Sequence, residues 1–96
     1  MNLLFHPEAE AELNAAIDWY EERQPGLGLD LAVEVRAAIE RAMQLPDAWS
    51  ELAPGIRRVL THRFPYGVLY AQGGTTLHVL AVMHMARQPG YWQGRH

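Results

Sequence analysis

The chain predicts an α+β fold in the order strand–helix–helix–strand–strand–strand, with a helical hairpin packed on one face of a mainly antiparallel sheet. Three observations predict it. Two stretches carry apolar residues at helical spacing and are separated by a Pro-Gly-Leu-Gly break. Three β-rich runs follow, broken by Pro65 and by Gly73-Gly74. A short apolar run precedes the first helix signal.

Asn2 to Phe5 reads as the first strand. His6-Pro7 opens a helix, because proline suits a first helical turn and Glu8, Glu10 and Glu12 favour its positive end. Ala9, Leu13, Ala16, Ile17 and Tyr20 then fall on one stripe, with Asp18, Glu21 and Glu22 largely off it. Gln24 to Gly28 stops this helix, and a second runs from about Leu29 to Leu45. Its stripe is Leu31, Val35, Ala38, Ile39 and Ala42, and Pro46 ends it. Asp47 to Gly55 is expected to be a loop. Ile56–Phe64, Tyr66–Gln72 and Thr76–Met85 are expected to form an antiparallel meander. One domain over residues 1–96 is expected for this length.

Strand parity extends the reading, since successive side chains point to opposite faces. Leu77, Val79, Ala81 and Met83 form a purely apolar set and are expected to face the helices, which puts His78, Leu80, Val82 and His84 on the other face. In the run after the loop, Ile56, Arg58, Leu60, His62 and Phe64 are the more apolar set. Arg57 and Arg63 are then expected on the face away from the helices.

Charge is segregated along the chain. All 11 acids lie in residues 1–51, against only Arg23, Arg36 and Arg41. Residues 52–96 hold no acid and carry Arg57, Arg58, Arg63, Arg87 and Arg95. The halves therefore carry −8 and +5, which suggests a face for an anionic partner. No lysine and no cysteine occurs, so a disulfide framework and a thiolate metal site are excluded. No secretory signal is visible at Met1 to His6. Phe64 to Ala86 is uncharged over 23 residues, but Pro65 and Gly73-Gly74 read as turns rather than a membrane span. His78 and His84 would stand roughly 20 Å apart on one strand, too far to share a metal ion. No metal or cofactor is expected.

The ordered set of local patterns resembles one family. Phe5-His6-Pro7-Glu8-Ala9-Glu10-Ala11-Glu12-Leu13, Trp19-Tyr20-Glu21 and Pro25-Gly26-Leu27-Gly28 are similar to the opening of the RelE/ParE superfamily. Gly55-Ile56-Arg57-Arg58, Phe64-Pro65-Tyr66 and Val68-Leu69-Tyr70 resemble its central elements. His84, Arg87, Pro89, Tyr91-Trp92 and Arg95 resemble the ending of its plasmid-stabilisation subgroup. The resemblance implies the toxin of a type II toxin–antitoxin pair. Such a protein is cytoplasmic, inhibits growth, and is held in a hetero-oligomer by its cognate antitoxin. ParE-like members poison DNA gyrase. RelE-like members cut messenger RNA on the ribosome.

An RNase acting through the 2′-OH needs a base, cationic donors for the phosphate, and an acid for the leaving oxygen. His84, Arg57, Arg63, Arg87 and Tyr91 are the candidates for that set. RelE-like nucleases carry basic residues ahead of the Val-Tyr motif and near the end of the last strand. The matching positions here are Gly67 and Met85, so a ParE-like, non-nucleolytic toxin is the leading expectation. An endoribonuclease and an inactive antitoxin-binding module are the alternatives. The candidate antitoxin or target contacts are Arg58, Trp19, Tyr20, Trp92 and Arg95. Several have a plain alternative: His84 as a sheet histidine bonded to backbone, Arg57 and Arg58 meeting the acids of the helices or of an antitoxin, Tyr91-Trp92 closing the core edge, and Arg87 and Arg95 in a solvated tail.

Overall fold

A computed structural model describes residues 1–95. The elements are β1 (Asn2–Phe5), α1 (Pro7–Arg23), α2 (Leu27–Gln44), β2 (Ser50–Ala53), β3 (Ile56–Leu60), β4 (Tyr66–Gly73) and β5 (Thr76–His84). The sheet order is β1-β5-β4-β3-β2, with β1 parallel to β5 and every other pair antiparallel. The expected hairpin of helices and the meander are both present.

Local chemistry explains the helices. The His6 Nδ1 accepts the Glu8 N–H at 3.1 Å, so the residue before Pro7 caps α1. The Glu21 carboxylate leaves α1 to cap α2, accepting the N–H groups of Gly26 (2.7 Å) and Gly28 (3.0 Å). At Gly28 the helices come so close that a Cβ would overlap the Ile17 carbonyl oxygen. Leu31, Val35, Ala38, Ile39 and Ala42 are all buried, as their spacing predicted. They meet Val59, Val68, Tyr70, Leu77, Val79 and Val82 across the sheet.

Four expectations need correcting. The segment Asp47–Gly55 is not all loop. Ser50–Ala53 pairs with β3 as a short edge strand, and the turn after it contains Gly55 with φ +76°. Its burial is slight and its register breaks between Glu51 and Ala53, so no alternation marks it in the sequence. The run expected to reach Phe64 stops at Leu60. There the Thr61 hydroxyl donates to the Phe64 carbonyl at 2.6 Å, closing a turn ahead of Pro65.

The other two corrections concern faces. Val79 pairs with Tyr70 and Ala81 with Leu69, so Leu80 is an extra residue in β5. Leu77 and Val79 face the helices, but beyond this bulge Val82 and His84 take that side. Ala81 and Met83 turn to the opposite face, where they pack with Leu69 and Trp92. In β3, Arg57 shares the helix side with Val59, while Ile56 and Arg58 point the other way. In β5 the bulge is the cause, and in β3 it is a second face that is also covered. The C-terminal segment lays Tyr91 and Trp92 over the second face, so both faces are apolar and contrast cannot choose between them.

Candidate functional site

β5 runs on past the end of β1, which leaves a gap at that side of the sheet. β1 ends at Phe5, and its last bond to β5 runs from the His6 N–H to the Val79 carbonyl at 2.8 Å. Beyond it, the Leu80 carbonyl and Val82 N–H have no neighbouring strand. Two side chains replace it. Arg95 Nη1 donates to the Leu80 carbonyl at 3.0 Å, and Glu12 Oε1 accepts the Val82 N–H at 3.1 Å. Arg95 also grips Glu12 with a two-pronged bond, at 2.9 Å to Oε1 and 3.2 Å to Oε2. Their side chains are only 9% and 13% exposed.

Arg95 Nε lies 3.2 Å from Glu8 Oε2, but out of line for a hydrogen bond. Burial works against the charge of Arg95. Hydrogen bonding to Glu12 and attraction by Glu12 and Glu8 outweigh it, and the pKa is raised. Arg87 reaches Glu12 Oε2 at 3.3 Å and stacks its guanidinium 3.7 Å above the Tyr91 ring. Burial first, and the neighbouring Glu12 carboxylate second, push the Tyr91 phenol up to about 12. Its hydroxyl is buried and finds no hydrogen-bond partner among the described residues.

Glu12 and Arg87 of this cluster also line an open cleft of about 440 Å³ between α1 and the ends of β4 and β5. Its walls are Trp19, Tyr20, Tyr66 and His84, with Arg87 and Glu12 at one end. The aromatic rings brace one another. Trp19 meets Tyr20 edge-on at 4.9 Å, Tyr20 meets Phe64 at 5.1 Å, and Tyr66 meets His84 at 5.2 Å. The Arg23 guanidinium lies 3.4 Å over the Trp19 ring, which is half exposed. The His84 Nδ1 accepts the Ala86 N–H at 3.0 Å. In the neutral ring that places the proton on Nε2.

The structure brings Trp19, Tyr20, His84 and Arg87 into one cleft, and ties Tyr91 and Arg95 to it through Arg87 and Glu12. It keeps the remaining candidates apart. Arg57 donates to the Trp49 carbonyl at 2.7 Å and lies 3.8 Å from Glu51, holding down the segment before β2. Arg63 sits in the β3–β4 turn and pairs with Asp30 of α2 at 3.1 Å. Glu34 anchors the same turn by accepting the N–H groups of His62 and Arg63. These bonds, led by the one from Arg63, hold its carboxyl below the usual range. Arg58 lies on the second face across Gly67, in a depression of about 490 Å³ beside Met83, Met85 and Trp92. Trp92 itself is core.

Glu12 and Tyr66 belong to the site without having been singled out by their chemistry. Glu12 reads in sequence as one more acid near a helix start, and nothing local says that it will meet a residue 83 positions away. No group of three histidines or carboxylates able to hold a metal ion occurs among the described residues. No described helix is long and apolar enough to cross a membrane.

Comparison with known proteins adds the family. The sequence profile described as the ParE toxin of the type II toxin–antitoxin system parDE matches residues 3–89. The chain belongs to the ParE toxin family. Among solved structures, a chain described as the chromosomal ParDE TA system from P. aeruginosa is similar, with a TM-score of 0.76 at 20% identity. The likeness covers 88% of this chain and 95% of that one, and it supports the α+β fold. No curated protein sequence matches. The cleft beside α1 brings the half-exposed Trp19 and Arg87 together with Tyr20, Tyr66 and His84.

Proposed function

We propose that this ParE-family chain is a growth-inhibiting toxin that acts by binding a protein target such as DNA gyrase, and that a cognate antitoxin neutralises it in a hetero-oligomer. The observation that carries the reading is the dispersal of the arginines. A phosphate-cleaving site needs its donors together. Arg57 and Arg63 are each committed elsewhere, to the Trp49 carbonyl and to Asp30. What gathers instead is Trp, Tyr and Arg around a cleft, the residue types that dominate protein-docking hot spots. Its site of action would be the cytoplasm, where gyrase and ribosomes work.

The test is induction of the chain alone in a bacterium, with pulse-labelling of DNA and protein synthesis. DNA synthesis should fall first, and purified chain should trap gyrase on cleaved DNA. Trp19→Ala, at a half-exposed position, should weaken both effects while leaving the fold intact. A second reading, a ribosome-dependent endoribonuclease, rests on His84 and Arg87 sharing the cleft. It predicts that protein synthesis stops first and that messages on purified ribosomes are cut. Intact messages would remove that reading.

A further inference from the structure

β1 is the last strand of the sheet, and its outer edge is unpaired among the described residues. The Asn2 and His6 N–H groups point inward, to Thr75 at 2.7 Å and Val79 at 2.8 Å. By strand alternation, the N–H and C=O groups of Leu3 and Phe5 point outward, away from β5. β1 holds no charge, proline or bulge, so its four-residue length is the guard this free edge has. Its side chains add to the exposure. Leu4 is 59% exposed on the side away from the helices, and Met1 and Leu3 are also exposed. On the helix side an apolar groove of about 350 Å³ runs between β1 and the helices, lined by Leu3, Phe5, Leu13, Val35, Ile39 and Met43. Arg36 and Glu40 of α2 stand on its rim, 3.4 Å apart, with side chains 84% and 60% exposed.

We propose that this edge is an interface for a second copy of the chain, formed by antiparallel pairing of β1 with β1 about a twofold axis through Leu4. The outward backbone groups select the register. Leu3 of one copy pairs with Phe5 of the other, both having free donors and acceptors, and the two Leu4 side chains oppose each other across the axis. Helix α2 borders the same groove, so the pairing sets two α2 helices side by side and antiparallel. An Arg and a Glu one turn apart are self-complementary under that symmetry. Arg36 of each copy faces Glu40 of the other, and two local ion pairs become a four-charge cluster. A partner of uniform charge would match only one member of the pair, whereas a second copy matches both. The contact is small, so association is weak and concentration-dependent.

Sedimentation of the full chain from about 1 μM to about 300 μM brackets the affinities expected of so small an interface. A monomer–dimer equilibrium is expected. Leu4→Asp should abolish it. Arg36→Glu and Glu40→Arg should each weaken it about tenfold or more, by setting like charges opposite one another. An equimolar mixture of those two variants should associate again, and so should the double variant R36E/E40R. That rescue separates a charge match from a folding defect. A monomer at every concentration would overturn the proposal and leave the edge to a different partner, and a dimer indifferent to all three substitutions would overturn it equally.

Discussion

Replacing Glu12 by Gln tests the central claim about the site, because that carboxylate joins three otherwise separate parts of the fold. It accepts the Val82 N–H, both η nitrogens of Arg95, and Arg87. The amide keeps the shape but has one acceptor oxygen, and its NH₂ is set against a guanidinium. Arg95 is then left charged in a site where its side chain is 9% exposed, with Glu8 as its remaining ionic partner. Breaking a buried pair from one side costs about 3–5 kcal/mol, and the low end applies here because Glu8 and the Leu80 carbonyl remain. About 3 kcal/mol is a large share of a total that is on the order of 5–15 kcal/mol. It corresponds to a fall in Tm of about 12–24 °C for a chain of this size.

The assay is urea unfolding of wild type, Glu12→Gln, Arg95→Met and the double variant, read at constant m. Each single change strands the partner of the other, so the double should cost less than the sum, with a coupling of about 1.5–3 kcal/mol. A coupling below about 0.5 kcal/mol would refute the reasoning. The pair would then be a surface decoration, and the missing strand beyond β1 would be compensated by water.

Gly28→Ala should destabilise by about 1–3 kcal/mol, the range for forcing an overlap into a packed contact, because its Cβ has no room beside the Ile17 carbonyl; thermal unfolding measures it. Tyr91→Phe should be neutral or raise stability by up to about 1 kcal/mol, since it removes a buried hydroxyl without a partner. It should also abolish the last phenolate transition, near pH 12 in the wild type by absorbance. Because that phenol is raised above an unfolded value of about 10, the stability tied to it is complete below pH 10 and is lost as pH rises through about 12. Glu34 has the opposite sign. Its folded pKa is lowered, so its contribution is present above the unfolded value of about 4.3 and is lost as pH falls through the lower folded one. The urea midpoints of wild type and Glu34→Gln should therefore differ at neutral pH and converge in acid.

Where one side of an element faces water, its burial pattern was legible in the sequence. The stripes of α1 and α2 meet this condition, and every residue assigned to the α2 stripe is buried. The meander was legible too, because Pro65 and Gly73-Gly74 break it at the turns. The faces of β3 and β5 were not. Trp92 and Tyr91 cover the side that parity assumed open, and Leu80 inserts one residue without any change in composition. A bulge inside an apolar run has no sequence mark, yet it reverses every assignment after it. Arg57 was misplaced for the first reason, and His84 for the second. At the site, Trp19, Tyr20 and Arg87 were legible as residue types, whereas the meeting of Glu12 with Val82, Arg87 and Arg95 depends on contacts 70 to 83 positions apart.

The segregated charge has a different meaning in the folded chain from the one its linear count suggests. Acids gather in the first half because α1 and α2 lie against the turn, the sheet edge and the tail that the second half supplies. Arg63 goes to Asp30, Arg87 and Arg95 go to Glu12, and Arg57 lies nearest Glu51. Of the five arginines after residue 51, Arg58 alone has no carboxylate within ion-pair distance among the described residues. The surplus of +5 is therefore spent mostly within the molecule, and the field left for a polyanion is small. Arg87 still differs from the others. It is half exposed, is held to Glu12 by one nitrogen, and borders the aromatic cleft on one side and the Arg58 depression on the other. It can engage a partner without leaving Tyr91, because stacking holds the plane of the guanidinium while its edge stays free to donate. A cation so placed suits a docking surface that accepts one carboxylate or carbonyl better than a channel that must neutralise a run of phosphates.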